Sequence, residues 1–387
     1  MRPHGTGEPV DELQQACPRV LRIYHSGVVG AWRERDRVLA AAGAQMSLAC
    51  ATEWNEGGRA VRAERVPGDP ELYPVRTLGR HPNLFAYHPI ALWRALRARP
   101  IDVLDIHEEP VSVAAAEVQA LAWLAGYRGP FCLYSAQNIE KRYPPPFRWM
   151  ERIALRRASA VHVCNDAAGE ILRRKGFQGA IVNLGLGVDT EHFAPEGEPG
   201  DVPSGGGARI GYVGRIEIRK GVLVLAGAIA QTPDVTLEVI GDGPDRSALD
   251  AEIDRLGIAD RVTVTGFVAH DDLPARYCSF DLVVVPSLET PRWIEQFGRV
   301  AVEAMACGVP VVASDSGSLP EVVGDAGVLV PPGDVVALSN ALKELVADPG
   351  KRLHLGRAAL RRAAHWSWGA IAERQFALYC GMLDDAT

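Results

Sequence analysis

Two carboxylates eight positions apart frame the most chemically pointed stretch of this sequence, Glu295-Gln296-Phe297-Gly298-Arg299-Val300-Ala301-Val302-Glu303-Ala304-Met305-Ala306. The residues around Glu303 are apolar, the pattern of a largely buried helix that starts near Phe297 to Gly298. Glu295 then stands in the loop before the helix and Glu303 one to two turns inside it. The amides of Phe297, Gly298 and Arg299 point out of such a helix start, ready for a phosphate or a hydroxyl. Two separated carboxylates suit a ligand with a polyol at each end and phosphates between; the plainer alternative is a helix cap and a solvated helix carboxylate. A carboxylate in an apolar helix wants a partner in either case. Upstream, Gly211-Tyr212-Val213-Gly214-Arg215 closes an apolar run and Lys220-Gly221 opens a helical one. Glycine amides, a helix start and two cations in one turn meet the needs of a diphosphate; solvated loop charges are the alternative. Gly241-Asp242-Gly243 also follows a strand-like run, but Arg246 stands where a dinucleotide fingerprint needs its third glycine. No acidic residue ends a following strand to hold a ribose, so a tight turn is expected there and a nicotinamide site is not.

The elements that position these residues alternate along the chain. Strands are predicted at 20–25, 46–51, 102–106, 131–135, 160–163 and 180–183, and helices at 31–42, 89–96, 113–124, 147–157 and 167–174. Residues 194–208 hold Pro195, Pro199, Pro203 and Ser204-Gly205-Gly206-Gly207, the composition of a linker. Alternation then restarts, with strands at 209–213, 236–240, 262–265, 282–285 and 310–313. Its helices fall at 221–230, 246–256, 298–307, 335–347 and 353–364. The expected fold class is α/β, two Rossmann-like doubly wound domains facing a cleft. A flexible leader covers 1–18, the first domain 19–193, the linker 194–208 and the second domain 209–368. A last helix follows Trp366-Ser367-Trp368 and has either domain to pack on. Open parallel sheets bind ligands beyond the carboxyl ends of their strands, so each domain supplies one wall of the site.

Composition excludes other classes. Hydrophobic residues make up 47% and charged residues 23% of 387 residues, a globular balance, and the length favours two cores over one. A formal charge of −7 argues against a nucleic-acid partner. Seven scattered cysteines without CxxC spacing fit neither a disulfide framework nor a zinc site, and a reducing, cytoplasmic setting is expected. No apolar run approaches the ~18 residues of a membrane span, so membrane contact is at most peripheral.

The segment Pro286-Ser287, then Glu295 through Gly308-Val309-Pro310-Val311-Val312-Ala313-Ser314, resembles the retaining glycosyltransferases of family 4, which have the GT-B fold. It carries their E-x7-E pattern followed by E-A-M-A-x-G-x-P-V-V-A-S. Gly214-Arg215, Lys220-Gly221, Gly241-Asp242-Gly243-Pro244, Thr265-Gly266-Phe267, Gly317-Ser318-Leu319-Pro320-Glu321, Gly333-Asp334 and Trp366-Ser367-Trp368 fall in that family's order, so the likeness covers 209–368. The resemblance implies that Arg215 and Lys220 clamp a diphosphate, with Glu295 beside them as the third catalytic residue. It implies that Glu295 and the Phe297, Gly298 and Arg299 amides grip the transferred sugar, that Glu303 holds the ribose, and that Phe267 and Val268 seat the base. Gly214, Gly241, Gly243 and the first-domain Gly27 complete the implied donor site, and the helix at 369–387 would pack back on the first domain.

Three departures bear on chemistry. The stretch Leu288 to Ile294 is longer than the family pattern, only Gly27 and Gly30 stand where a Gly-Gly pair is frequent, and Gln137 replaces a histidine. Gln137 can bond a hydroxyl but cannot take a proton, so it is no general base. On the acceptor side, His107, Gln137 and Asn138 are candidates, with a structural histidine the alternative at His107; the aromatic and basic loops 80–88 and 141–149 are open to a sugar acceptor, an anionic acceptor or a lipid interface, with ordinary surface loops the plainer alternative. The expected activity is transfer of a hexosyl unit from a UDP- or GDP-sugar to a small-molecule, glycan or lipid-linked acceptor. The nucleotide sugar is a co-substrate, no cofactor is expected, and the absence of a DxD pair argues against a bridging metal. A nucleotide-sugar epimerase and a non-catalytic nucleotide-sugar-binding protein are the alternatives.

Overall fold

The computed structural model describes residues 17–56, 58–197 and 207–385, so most of the expected leader and most of the expected linker lie outside the described residues. The first domain runs β1 (Arg19–Ile23), α1 (Glu34–Ala41), β2 (Gln45–Ala51), β3 (Glu53–Glu56), β4 (Arg59–Arg62), β5 (Glu71–Val75), β6 (Thr77–Leu78), β7 (Ala86–Tyr87) and α2 (Pro89–Ala98). It continues with β8 (Val103–Ile106), α3 (Val113–Leu124), β9 (Phe131–Ser135), α4 (Phe147–Arg157), β10 (Ala160–Val163), α5 (Asp166–Arg174) and β11 (Ala180–Asn183). Seven strands form a parallel sheet in the order β11-β10-β9-β8-β1-β2-β5. Its central strands are buried on both faces; Leu48, Ala49, Cys50 and Ala51 of β2 all have no exposure, as a sheet covered by helices on both sides requires.

The second domain runs β12 (Ala208–Val213), α6 (Val222–Ala230), β13 (Val235–Ile240), α7 (Arg246–Leu256), β14 (Val262–Gly266), α8 (Leu273–Cys278), β15 (Leu282–Val285) and α9 (Arg299–Ala306). It ends with β16 (Val311–Ser314), α10 (Leu319–Val323), β17 (Gly327–Val330), α11 (Val335–Ala347) and α12 (Pro349–His365). Six parallel strands are ordered β14-β13-β12-β15-β16-β17. Each sheet therefore reverses direction once, between β1 and β8 in the first domain and between β12 and β15 in the second. Those switch points are where a crevice opens.

Several local outcomes differ from the sequence pattern for identifiable reasons. The helix expected at 31–42 is preceded by tight 3-10 turns at His25–Val28 and Gly30–Arg33 and becomes regular only at Glu34. Strand β5 escaped the pattern because Pro74 interrupts it; it is the edge of its sheet, where a missing N–H is tolerated. The edge strand β17 and the hairpin of β3 and β4 are short and half exposed, which blurs their alternation.

The last helix, α13 (Trp368–Asp384), lies against the first domain, where Ala372, Leu378, Tyr379 and Met382 join Val20, Leu39 and Met46 in one apolar cluster. Beneath it runs a buried charged network. Arg22 Nη1 donates to Asp36 Oδ1 at 2.9 Å, and Arg22 Nε lies 3.5 Å from Asp105 Oδ2. From α13, Tyr379 donates to the same Asp105 oxygen at 2.7 Å and Gln375 Nε2 at 2.9 Å, while Arg35 donates to Gln375. Burial by itself raises the Asp105 carboxyl, but His162, Arg22 and Arg35 around it hold it below the usual carboxylate range. His162 Nε2 sits 3.1 Å from Asp105 Oδ1. Burial drives the His162 imidazole down to about 4 in spite of that carboxylate.

The unfolded chain takes up a proton at His162 as pH falls through ~6.5, and the folded chain refuses it until far lower. The stability this neutral imidazole contributes is thus complete above ~6.5 and is lost progressively as the solution is acidified toward its folded pKa. Urea unfolding of His162→Gln between pH 7 and pH 4.5 should show a pH slope flatter than the parent's by up to ~1.4 kcal/mol per pH unit. An identical slope would mean that His162 carries no such linkage.

Candidate active site

The second-domain wall is built at the β12–β15 switch point by backbone packed on backbone. Gly214 (φ 150°), Gly221 (φ 75°) and Gly241 (φ 135°) all have positive φ. A Cβ on Gly241 would lie 1.9 Å from the Gly214 carbonyl oxygen, one on Gly243 2.2 Å from that of Ile216, and one on Gly221 1.7 Å from that of Pro286. No side chain fits any of these contacts, so glycine draws the loops after β12, β13 and β15 into one floor.

On that floor Lys220 Nζ donates to Glu295 Oε2 at 2.7 Å, and Ser287 Oγ donates to the same oxygen at 2.8 Å. The Lys220 ammonium and the Arg219 guanidinium each lie 5.0 Å from the centre of the Trp293 ring. Glu217 receives Arg215 Nε at 2.6 Å on one oxygen and Arg219 Nε on the other. Burial pushes the Glu217 carboxyl up, but the bonds from Arg219 and Arg215 bring it below its ordinary value. Three cations, Arg215, Arg219 and Lys220, thus crowd one turn, each oriented by a carboxylate.

Helix α9 starts where the sequence places it. Gly298 is its N-cap at φ 79°, and a Cβ there would come within 2.4 Å of Leu319. The Phe297 side chain is buried, edge-on to Trp366 at 5.1 Å, so only its backbone is left for a ligand. Glu303 is 7% exposed rather than solvated; Tyr277 donates to its Oε2 at 2.7 Å. It lines a cavity of about 380 Å³ together with Arg299, Trp32, His192 and His270. The guanidinium of Arg299 crosses from the second domain to lie 5.3 Å from the Trp32 ring centre, and among the described residues its buried Nε has no hydrogen-bond partner. A neighbouring cavity of about 540 Å³ is lined by Gly214, Arg215, Gly241, Gly243, Phe267 and Val268 from the second domain and by Glu56 and Arg59 from the first. Phe267 is 64% exposed, with the Arg59 guanidinium 4.1 Å over its ring.

The first-domain wall forms at the β1–β8 switch point. His25 Nδ1 lies 2.7 Å from Glu108 Oε2, and Tyr87 donates to Glu108 Oε1 at 2.8 Å. Burial lowers the His25 imidazole, but Glu108 outweighs it and the net shift is upward. The next carboxylate, Glu109, accepts Ser135 Oγ at 2.8 Å and the Ala136 amide at 2.7 Å, and burial raises it above its usual range. Gln137 donates to the Ile139 carbonyl at 2.9 Å and accepts the Tyr143 hydroxyl at 3.0 Å. Asn138 reaches across the cleft to the Glu295 carbonyl at 2.8 Å. Both line a polar cavity of about 250 Å³ with Glu109, Lys141, Tyr143, Arg292, Trp293 and Gln296.

One expected contact is corrected by this geometry. His107 is buried, 3.0 Å from Arg22 through Nδ1 and stacked on Tyr134 at 4.0 Å, so it belongs to the charged network and not to an acceptor surface. Gly27 is buried as well, and a Cβ on it would meet Leu48 at 3.1 Å and Cys50 at 3.2 Å, so it seats the first loop closely on β2. Sequence reasoning assigned no role to Glu109, Arg59 or Arg219, and reached Trp293 only as part of the stretch Leu288 to Ile294. Only Trp293 carried a signal, as the aromatic in the over-long stretch between Ser287 and Glu295.

Comparison with known proteins agrees with this arrangement. The family described as "Glycosyl transferase 4-like domain" matches residues 27–187, and "Glycosyl transferases group 1" matches 201–362. The 2-deoxystreptamine glucosyltransferase of Streptomyces kanamyceticus is 33% identical over 297 residues, 70% of this chain and 74% of that protein. The GDP-mannose-dependent alpha-(1-6)-phosphatidylinositol monomannoside mannosyltransferase of Mycolicibacterium smegmatis is 32% identical over 53% of this chain and 58% of its own. The D-inositol 3-phosphate glycosyltransferase of Salinispora tropica is 42% identical over 41% of this chain, and the match spans 35% of its length. Among solved structures, the sucrose-phosphate synthase of Thermosynechococcus elongatus superposes with a TM-score of 0.71 at 24% identity, covering 95% of this chain and 100% of its own. HepE from Anabaena, crystallised with UDP, gives 0.71 at 21% identity over 93% and 98% of the two chains. At these identities the likeness is one of fold. Two facing parallel-sheet domains, their family matches and a relative aligned over most of both lengths together place this chain among the family 4 glycosyltransferases of GT-B fold.

Proposed function

We propose that this chain moves a hexosyl unit from a UDP- or GDP-sugar to an acceptor hydroxyl, with retention of anomeric configuration and without a metal. The observation that carries the reading is the meeting of Lys220, Ser287 and Glu295 at the second sheet's switch point, immediately before α9. The diphosphate lies against Lys220, Arg215 and the amides of Phe297, Gly298 and Arg299. The sugar lies against Glu295, the ribose near Glu303 and the base against Phe267 and Val268. The bond from the anomeric carbon to the phosphate oxygen breaks with its electron pair going to that oxygen. The acceptor hydroxyl enters on the same face and passes its proton to the departing phosphate, which yields a glycoside and a nucleoside diphosphate. No strong base is needed, and fixed cations stabilise the charge that grows on the leaving group.

The polar cavity beside Trp293 supports a compact polyhydroxylated acceptor, free or carried on a glycan or lipid. Amide, hydroxyl and carboxylate groups line it, and the aromatic faces of Tyr143 and Trp293 suit the apolar face of a ring. Relatives named for 2-deoxystreptamine and inositol 3-phosphate act on six-membered rings of this kind. Melting curves against UDP-, GDP- and ADP-sugars test the donor, because a ligand bound only by the folded chain raises the melting temperature. Product analysis with donor alone separates this reading from epimerisation, which would return an isomerised sugar without any acceptor.

Lys220→Ala should lower kcat by roughly 10²–10³-fold, the usual cost of removing one fixed donor from a developing anion. Unchanged turnover would remove Lys220 from the clamp. Glu303→Ala should weaken nucleoside diphosphate binding in calorimetry by ~10-fold or more, the worth of a charged hydrogen bond. Tyr277→Phe, which leaves the carboxylate in place, should bind close to the parent. Equal affinity in Glu303→Ala would make Glu303 a structural partner of Tyr277 alone.

A further inference from the structure

Helix α4 presents to solvent a face of unusual composition. Phe147, Met150, Glu151, Ala154 and Leu155 turn inward, fully or in part. At about 100° per residue the remaining arc reads, around the helix, Arg148, Arg152, Arg156, Trp149, Ile153, Arg157. All six are exposed, Trp149 by 60% and Ile153 by 55%. The one acid of the helix, Glu151, faces inward and is paired with Lys175 Nζ at 2.6 Å. Among the described residues no carboxylate pairs with Arg148, Arg152, Arg156 or Arg157. A chain of formal charge −7 thus carries four unopposed cations on one helix face, with an apolar pair set between them.

The patch continues past α4. Trp123 and Leu124, at the end of α3, are 50% and 58% exposed, and Trp123 lines a small cavity of about 150 Å³ with Arg157. The loop that enters α4 carries Lys141 and Tyr143 of the 250 Å³ polar cavity.

We infer that this face of α4 docks on an anionic lipid bilayer. Charge complementarity selects the lipid phosphates, and the arrangement selects a membrane over a soluble polyanion. Arginines flanking a Trp–Ile pair reach headgroup phosphates while the pair enters the acyl boundary. A soluble acidic partner would use the arginines and leave both apolar side chains in water. Docking of this kind is peripheral, weakens with salt and needs no spanning helix.

Sedimentation of the full chain with vesicles tests this, using neutral phosphatidylcholine alone or with about one third phosphatidylglycerol, a content at which surface potential governs binding. The parent should bind the anionic vesicles and not the neutral ones. Trp149→Ser/Ile153→Ser and Arg152→Glu/Arg156→Glu should each lose at least ~10-fold in partitioning. Because all four positions are exposed, both variants should keep the parent's melting temperature and its transfer to a soluble acceptor, so failure here leaves the proposed activity untouched. No binding of the parent to anionic vesicles overturns the proposal, as does full binding by both variants. Loss in the arginine variant alone, with equal capture by soluble polyglutamate, also overturns it, in favour of an acidic macromolecular partner.

Discussion

The ion pair between Lys220 and Glu295 is the contact on which the rest of the site depends. Both groups are largely withdrawn from water, and a single oxygen of Glu295 receives both the ammonium and the Ser287 hydroxyl. An uncompensated charge at this depth would be costly, so the two side chains hold one another and the loops that carry them. Those loops are remote in sequence, after β12 and β15, and meet only because these strands are neighbours at the switch point. Sheet topology creates the neighbourhood, the glycines at 214, 221, 241 and 243 let the backbones close on it, and the ion pair fixes the result. Glu217 does for Arg215 and Arg219 what Glu295 does for Lys220. Positive charge is thus assembled without being left free to wander.

Legibility in the sequence followed the same division. Strands buried on both faces produce unbroken apolar runs, and helices between them produce clear periods, so both domains and most central elements could be read directly. The carboxylate of α9, Glu303, was readable because a charged residue inside an apolar helix contradicts its surroundings. Edge elements such as β5 and β17 were not, since an edge strand need not be apolar on both faces and, in β5, even accommodates a proline. His107 misled for a related reason: its neighbours in sequence resemble a loop, while its environment is set by Arg22, Tyr134 and His162 from three other strands. Nothing local distinguishes a buried imidazole in a charged network from an exposed one beside a ligand. Glu109 and Arg59 were invisible for the same reason, their meaning lying wholly in what the fold brings opposite them.

Buried charge in the first domain has a different purpose from that in the second. Asp105 gathers Arg22, His162, Gln375 and Tyr379, and the last two belong to the final helix of the chain. A purely apolar seat would hold α13 in several registers, whereas a shared carboxylate accepts it in one. The chain crosses to the second domain at 185–188 and returns at 366–368, where the Val188 amide donates to the Trp366 carbonyl at 3.0 Å. A Cβ on Gly187 would lie 2.0 Å from the Trp368 ring, and one on Gly185 2.5 Å from Trp366. The two crossings are therefore packed against each other as one tight hinge.

That hinge gives the cleft contacts a second meaning. Asn138 bonds the carbonyl of Glu295, while Gln296 donates to the Ala136 carbonyl at 3.0 Å and accepts Asn165 at 2.8 Å on its own. All three bonds end on the two residues that lead into α9, and one of those two is the partner of Lys220. Rotation about a hinge at 185–188 and 366–368 that opened the cleft would break these bonds and release the loop before α9 from its first-domain support. The loop that carries the Glu295 carboxylate is thus also the loop the first domain grips, so the two walls of the cleft are held to one another through it.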